Sequence, residues 1–237
     1  MPDPGVRPEL TVVPAGIGSW DLAPPDSARR PRLYLLRVSE HRVVTEGPPE
    51  GLDEQERGRW SAYVRQEDRD RYAVAHLALR GLLGSGLGVP PADVDLTRED
   101  CPMCGGPHGR PAVRGGGVHF SLSHSGDLVL LGFAPVPVGV DVETVPTAAV
   151  AREVASSLHR REREEIAGLP APERPAAFAR CWVRKEAYLK GTGEGLAGGL
   201  ESTYLGTGAV PPSLPGWNLA DVDTDPGYLA AVAVAVP

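Results

Sequence analysis

Val138-Gly139-Val140-Asp141-Val142-Glu143 is the stretch on which the fold turns. Side chains alternate along a strand, so three valines take one face while Asp141 and Glu143 project together from the other. Just upstream, Phe120-Ser121-Leu122-Ser123 reads as a strand, Ser125-Gly126-Asp127 as a turn, and Leu128 to Ala134 as the returning strand. Pro135-Val136-Pro137 then interrupts the chain before the valine strand. Downstream, a helical stretch around 152–169 is broken by Pro170 and Pro172. A stronger helix follows at about 175–190, closed by Gly191 and Gly193.

Further out, Leu33-Tyr34-Leu35-Leu36-Arg37-Val38 reads as a first strand, and residues 1–30 as a loosely ordered, proline-rich lead-in. Tyr63, Tyr72, Val74, Leu77, Leu79, Leu82 and Leu83 recur at helical spacing within 53–87, which predicts one or two helices stopped at Pro90-Pro91. Residues 98–117 are mostly loop, and the C-terminal stretch reads as strands and turns ending in the apolar run Tyr228–Val236. An α+β class follows. The division falls near Pro137, into halves 1–137 and 138–237 with a cleft between them.

Composition narrows the function classes. A chain of 237 residues with 41% apolar content affords a real core. A net charge of −7 offers no basic surplus for nucleic acid. No apolar run approaches the roughly 20 residues of a membrane span, and Met1-Pro2-Asp3-Pro4 lacks the features of a signal peptide. With three cysteines, no disulfide framework is expected, and the compartment expected is the reducing cytoplasm. Lys185 and Lys190 are the only lysines among 24 basic residues. Arginine stays charged near neutral pH, whereas lysine is a compact charge with a tunable pKa, so their placement points to a need for ammonium groups.

Three segments carry chemistry. Asp141 and Glu143, aimed together, repel unless a cation lies between them, and hard carboxylate oxygens suit Mg²⁺. A solvated strand end with two ordinary acids would look the same. In Trp182-Val183-Arg184-Lys185-Glu186-Ala187-Tyr188-Leu189-Lys190, the residues Trp182, Glu186 and Lys190 share one helix face. A surface ion pair beside a core tryptophan is the plain alternative. Finally, Ser121-Leu122-Ser123-His124-Ser125-Gly126 offers hydroxyls, an imidazole and turn amides to an anion. Ser123 and His124 are strand neighbours facing opposite ways, a poor nucleophile–base geometry, and no Gly-x-Ser-x-Gly elbow occurs, so a hydrolase is disfavoured.

Together, in order and at their spacing, these three segments resemble the signature set of Sfp-type 4′-phosphopantetheinyl transferases. The motif core covers residues 120–190, with looser similarity back to about residue 65. The resemblance implies two pseudo-twofold-related α+β halves with coenzyme A as co-substrate in the cleft, and an apo acyl or peptidyl carrier protein as partner. It implies a divalent ion, Mg²⁺ or Mn²⁺, on Asp141, Glu143 and Glu186. Lys190 would meet the pyrophosphate and Lys185 would neighbour the phosphates. Ser123 and His124 would touch them, and Arg71, closing Gln66-Glu67-Asp68-Arg69-Asp70-Arg71, would meet the 3′-phosphate. Gly109-Arg110-Pro111 resembles a Gly-Lys-Pro segment on the adenine side, with Arg110 in place of lysine. Glu186 and Lys190 are the expected catalytic pair, Glu186 taking the proton of the attacking hydroxyl. The enzyme is expected to be a monomer. A module of the same fold that only binds coenzyme A, or interacts through a zinc loop, is the alternative.

Cys101-Pro102-Met103-Cys104-Gly105-Gly106-Pro107-His108 has the spacing of half a zinc site. A structural zinc wants four ligands and the chain has no second cysteine pair. On the sequence alone, a rigid loop beside the nucleotide is the preferred reading.

Overall fold

The computed structural model describes residues 9–13, 31–42 and 45–236. It is an α+β protein of four stacked layers, and the strands before and after Pro137 go to different sheets. The first sheet holds β1 (Glu9–Val12), β2 (Arg32–Arg37), β5 (His119–Ser125) and β6 (Leu128–Ala134), in the order β1-β2-β6-β5. Strand period decides what each face meets. Tyr34, Leu36, Val129, Leu131 and Phe133 turn to a core shared with Val74, Ala78, Leu82 and Leu83 of the helix α2 (Gln66–Leu87). Leu33, Leu35, Leu128 and Leu130 turn the opposite way.

That opposite face packs on the second sheet, formed by β7 (Val138–Thr144), β8 (Trp217–Val222) and β9 (Tyr228–Ala235) in the order β7-β9-β8. Val138, Val140 and Val142 are all buried there, as the alternation predicts. Full burial of each valine contributes about 1.5–2 kcal/mol before the entropy of ordering is counted. The outer face of this sheet carries the long helix α5 (Arg174–Thr192), with Val183 and Ala187 against Ala231 and Ala233. Gly139 permits the contact: a Cβ there would lie 1.9 Å from the carbonyl oxygen of Ala187. No other residue lets α5 come so close to β7.

Smaller elements complete the chain. The predicted helical stretch at 53–87 is two helices, α1 (Glu54–Ala62) and α2, joined by the buried Arg80, which pairs with Asp53 and Glu56. A capping box at Asp53 and Glu56 starts α1. Strands β3 (Leu96–Arg98) and β4 (Pro111–Val113) form a two-stranded ribbon whose connection is the cysteine-bearing loop. The helix read near 152–169 is two, α3 (Ala148–Val154) and α4 (Arg160–Gly168). One expectation needs correcting: within the proline-rich lead-in, Glu9–Val12 pairs in parallel with β2 as an edge strand. Residues 1–8 and 14–30 lie outside the described residues. Among the described residues, no helix is long and apolar enough to cross a membrane.

Candidate active site

The two sheets share no backbone ladder where β5 passes β7, and serine side chains bridge them instead. Ser121, Ser123 and Ser125 alternate along β5 and all turn towards β7. Ser121 Oγ accepts from the backbone N–H of Val140 at 3.0 Å. Ser123 Oγ donates to Asp141 Oδ1 at 2.7 Å, and Ser125 Oγ donates to Glu143 Oε2 at 2.6 Å. Within this segment the resemblance points to Ser123 and His124 and gives Ser125 no role, although the Ser-x-Ser-x-Ser period of two in the sequence carries the signal.

Helix α5 closes the site from the other side. Asp141, Glu143, Glu186, Lys190, Ser123, His124, Leu122 and Trp182 line one cavity of about 300 Å³. Lys190 Nζ donates to Asp141 Oδ1 at 2.6 Å and to Ser123 Oγ at 3.1 Å. Trp182, which the sequence left as an ordinary core residue, forms part of the wall. A second cavity of about 410 Å³ adjoins the first, sharing Leu122 and Lys190, and is lined by Arg98, His108, Arg110 and Glu194 among others.

Electrostatics mark the first cavity as a place for a cation. Burial, and then the neighbouring Asp141 charge, push the Glu186 carboxyl above the usual glutamate range. Glu143 is raised in the same way, chiefly by burial, with Asp141 adding to it and Ser125 opposing. Asp141 is 2% exposed, and its Oδ2 is buried without a hydrogen-bond partner. An unpartnered buried carboxylate oxygen is costly, and two crowded glutamates beside it are destabilised as anions. A hard divalent ion would satisfy all three, so the residues fit one. As they stand, the three carboxylates are not gathered within 4.8 Å of one another. Lys190 holds Asp141, and Ser125 holds Glu143.

The other predicted residues divide. His124 also lines the first cavity, where burial of its ring and then the charges of Arg71, His76 and Lys190 push its imidazole below the usual range. Arg71 donates from Nε to the Gly126 carbonyl at 2.9 Å and pairs with Asp68, which places it at the β5–β6 turn beside His124. Arg110 lines the second cavity and is held by Glu99 at 2.7 Å and by the Gly191 carbonyl at 2.6 Å. Lys185 is not brought to the site. It is 2% exposed and lies beneath α5, with Nζ 2.8 Å from Glu162 Oε2 and donating to the Thr203 carbonyl at 2.6 Å. Its position on the helix, about 100° from Glu186, points it into the protein, where Glu162 waits.

A family model described as the 4′-phosphopantetheinyl transferase superfamily matches residues 137–222, which span β7 to β8 and all of α5. The chain is 33% identical over 223 residues to the 4′-phosphopantetheinyl transferase HetI of Nostoc sp., covering 86% of this chain and 91% of that one. It is 28% identical over 200 residues to the 4′-phosphopantetheinyl transferase Sfp of Bacillus subtilis, covering 78% and 88%. With the 4′-phosphopantetheinyl transferase psf-1 of Bacillus pumilus it shares 38% identity over 138 residues, covering 57% and 55%.

Proposed function

This chain belongs to the 4′-phosphopantetheinyl transferase superfamily, and we propose that it moves 4′-phosphopantetheine from coenzyme A to a serine of an apo acyl or peptidyl carrier protein. The observation that carries the proposal is the cavity in which Asp141, Glu143 and Glu186 face the ammonium of Lys190. A pyrophosphate attacked by a hydroxyl needs its charge neutralised and its proton removed, and this cavity offers both.

In this reading the coenzyme lies across the two joined cavities with its pyrophosphate at Lys190. Arg110 serves the adenine side, and Arg71 with His124 serves the 3′-phosphate. Asp141, Glu143 and Glu186 would hold Mg²⁺ or Mn²⁺, which when bound offsets phosphate charge as a Lewis acid. The carrier serine oxygen forms a bond to the phosphorus that bears the pantetheine arm, and the bond from that phosphorus to the bridging oxygen breaks. Glu186 takes the serine proton, a task favoured by a carboxylate whose pKa burial has raised. Lys190 offsets the charge that develops on the departing 3′,5′-ADP. Ser123, already bonded to both Asp141 and Lys190, holds the two in register. The three cysteines are free of disulfides, which suits work in a reducing cytoplasm.

Mass spectrometry of an apo carrier protein incubated with the enzyme, coenzyme A and Mg²⁺ tests this directly. The carrier should gain one phosphopantetheine arm, and chelation of the metal should prevent the gain. An unmodified carrier across fatty-acid, polyketide and peptide-synthetase types would refute the proposal.

A further inference from the structure

The loop between β3 and β4 brings Arg110 to the larger cavity, and its cysteine-bearing turn assembles something of its own. Cys101 and Cys104 Sγ atoms and a ring nitrogen of His108 lie within 4.8 Å of one another. Among the described residues, no other three or more His, Cys, Asp or Glu side chains gather their ligand atoms so closely. We infer that Cys101, Cys104 and His108 bind one zinc ion, which fixes the wall of the neighbouring cavity.

The backbone is wound for this purpose. Cys101 N–H donates to the Gly106 carbonyl at 2.7 Å, and Gly105 N–H donates back to the Cys101 carbonyl at 2.7 Å. His108 N–H donates to the Gly106 carbonyl at 2.8 Å, which curls the histidine back over the turn. Backbone N–H groups of Met103 and Cys104 point at the Cys101 sulfur, so the turn also wraps this side chain from within.

Gly106 supplies an independent observation. A Cβ at this position would stand 3.0 Å from His108 Cδ2, 3.2 Å from its Nε2 and 3.4 Å from Cys104 Sγ. A side chain there would crowd both His108 and Cys104 by a few tenths of an ångström, and glycine leaves that space clear. Two sulfurs and an imidazole select zinc by their softness and number. In a tetrahedral zinc site, sulfur and nitrogen ligands lie roughly 3.5 Å apart. Cys104 Sγ and His108 Nε2, now 3.0 Å apart, need to part by about half an ångström, a small rotation for exposed side chains. Water or a small anion completes the four positions.

The consequence lies one residue further along. His108, Gly109 and Arg110 all line the larger cavity, and the ribbon that carries them has only three-residue strands and few buried apolar groups. A metal at its tip replaces the missing core. The test is elemental analysis of the full chain purified without a histidine tag, followed by cobalt titration of the metal-stripped protein. About one zinc per chain is expected, together with a cobalt–thiolate charge-transfer band. Cys104→Ser and His108→Ala should each lose both signals, and Cys181→Ala, a buried cysteine on α5, should keep them. Wild-type protein with well under one zinc and no cobalt–thiolate band would overturn the inference. So would a Cys101–Cys104 disulfide in the freshly isolated protein, or zinc retained in full by both variants.

Discussion

The ammonium of Lys190, near the end of α5, lies 2.6 Å from Oδ1 of Asp141 in the middle of β7. The pair joins the helix to the strand at the point where Ser123 from the other sheet also meets them. A guanidinium keeps the charge but is broader and planar, and it cannot hold Asp141 and Ser123 from one point as Nζ does. Lys190→Arg is therefore expected to lower kcat at least ~10-fold, about 1.4 kcal/mol of barrier. The change in KM for coenzyme A should be smaller. Steady-state kinetics decide it, and a variant as fast as wild type would show that charge alone suffices.

Metal binding should appear as a pH-dependent gain in stability. Glu143 and Glu186 both have carboxyls raised by burial and by Asp141. Their folded form binds protons more tightly than the unfolded chain does. Without a divalent ion, stability therefore falls as pH climbs from the ordinary glutamate pKa through the raised values. An ion that binds the ionised carboxylates opposes that loss and stabilises by mass action. The rise in Tm on adding Mg²⁺ should be larger near pH 7.5 than near pH 5, and Asp141→Asn should abolish most of it. Equal gains at both pH values would argue that these acids do not hold the ion.

Arg71 tests the orientation of the coenzyme. It is anchored by Gly126 and Asp68 beside His124, with further N–H donors left for a phosphate. Arg71→Ala should raise the KM for coenzyme A well above its effect on 3′-dephospho-coenzyme A. Equal effects on the two would place the 3′-phosphate elsewhere.

The elements that position the site were readable because their signals are local. The valine alternation of β7 and the apolar spacing of α5 are set within ten to twenty residues, which is the reach of strand and helix periodicity. Glu9–Val12 was not readable, since a parallel edge strand depends on a partner more than twenty residues away, across a proline-rich stretch. The serine bridge from β5 to β7 was half visible. Its period is in the sequence, but its target is a neighbouring sheet. The cysteine loop was read as lacking a fourth ligand. What the sequence did not disclose is that Gly106 leaves room beside two of the ligands, Cys104 and His108.

Lys185 marks the sharpest departure from the sequence reading, because scarcity pointed to a place near the phosphates for both lysines. Glu162 is fully buried and accepts hydrogen bonds from the backbone N–H groups of Leu205 and Gly206, at 2.7 Å and 3.3 Å. It holds the segment that follows α5, and Lys185 neutralises it at 2.8 Å. Removing one member of a buried pair strands the other charge, a loss of about 3–5 kcal/mol, whereas replacing both can be nearly neutral. Lys185→Met should therefore lower stability by that order, and the added change Glu162→Gln should restore part of it. At temperatures where Lys185→Met remains folded, its KM for coenzyme A should match wild type. Chemical denaturation of the single and double variants measures the first effect, and kinetics on the folded fraction measure the second. A raised KM with unchanged stability would return Lys185 to the phosphate site.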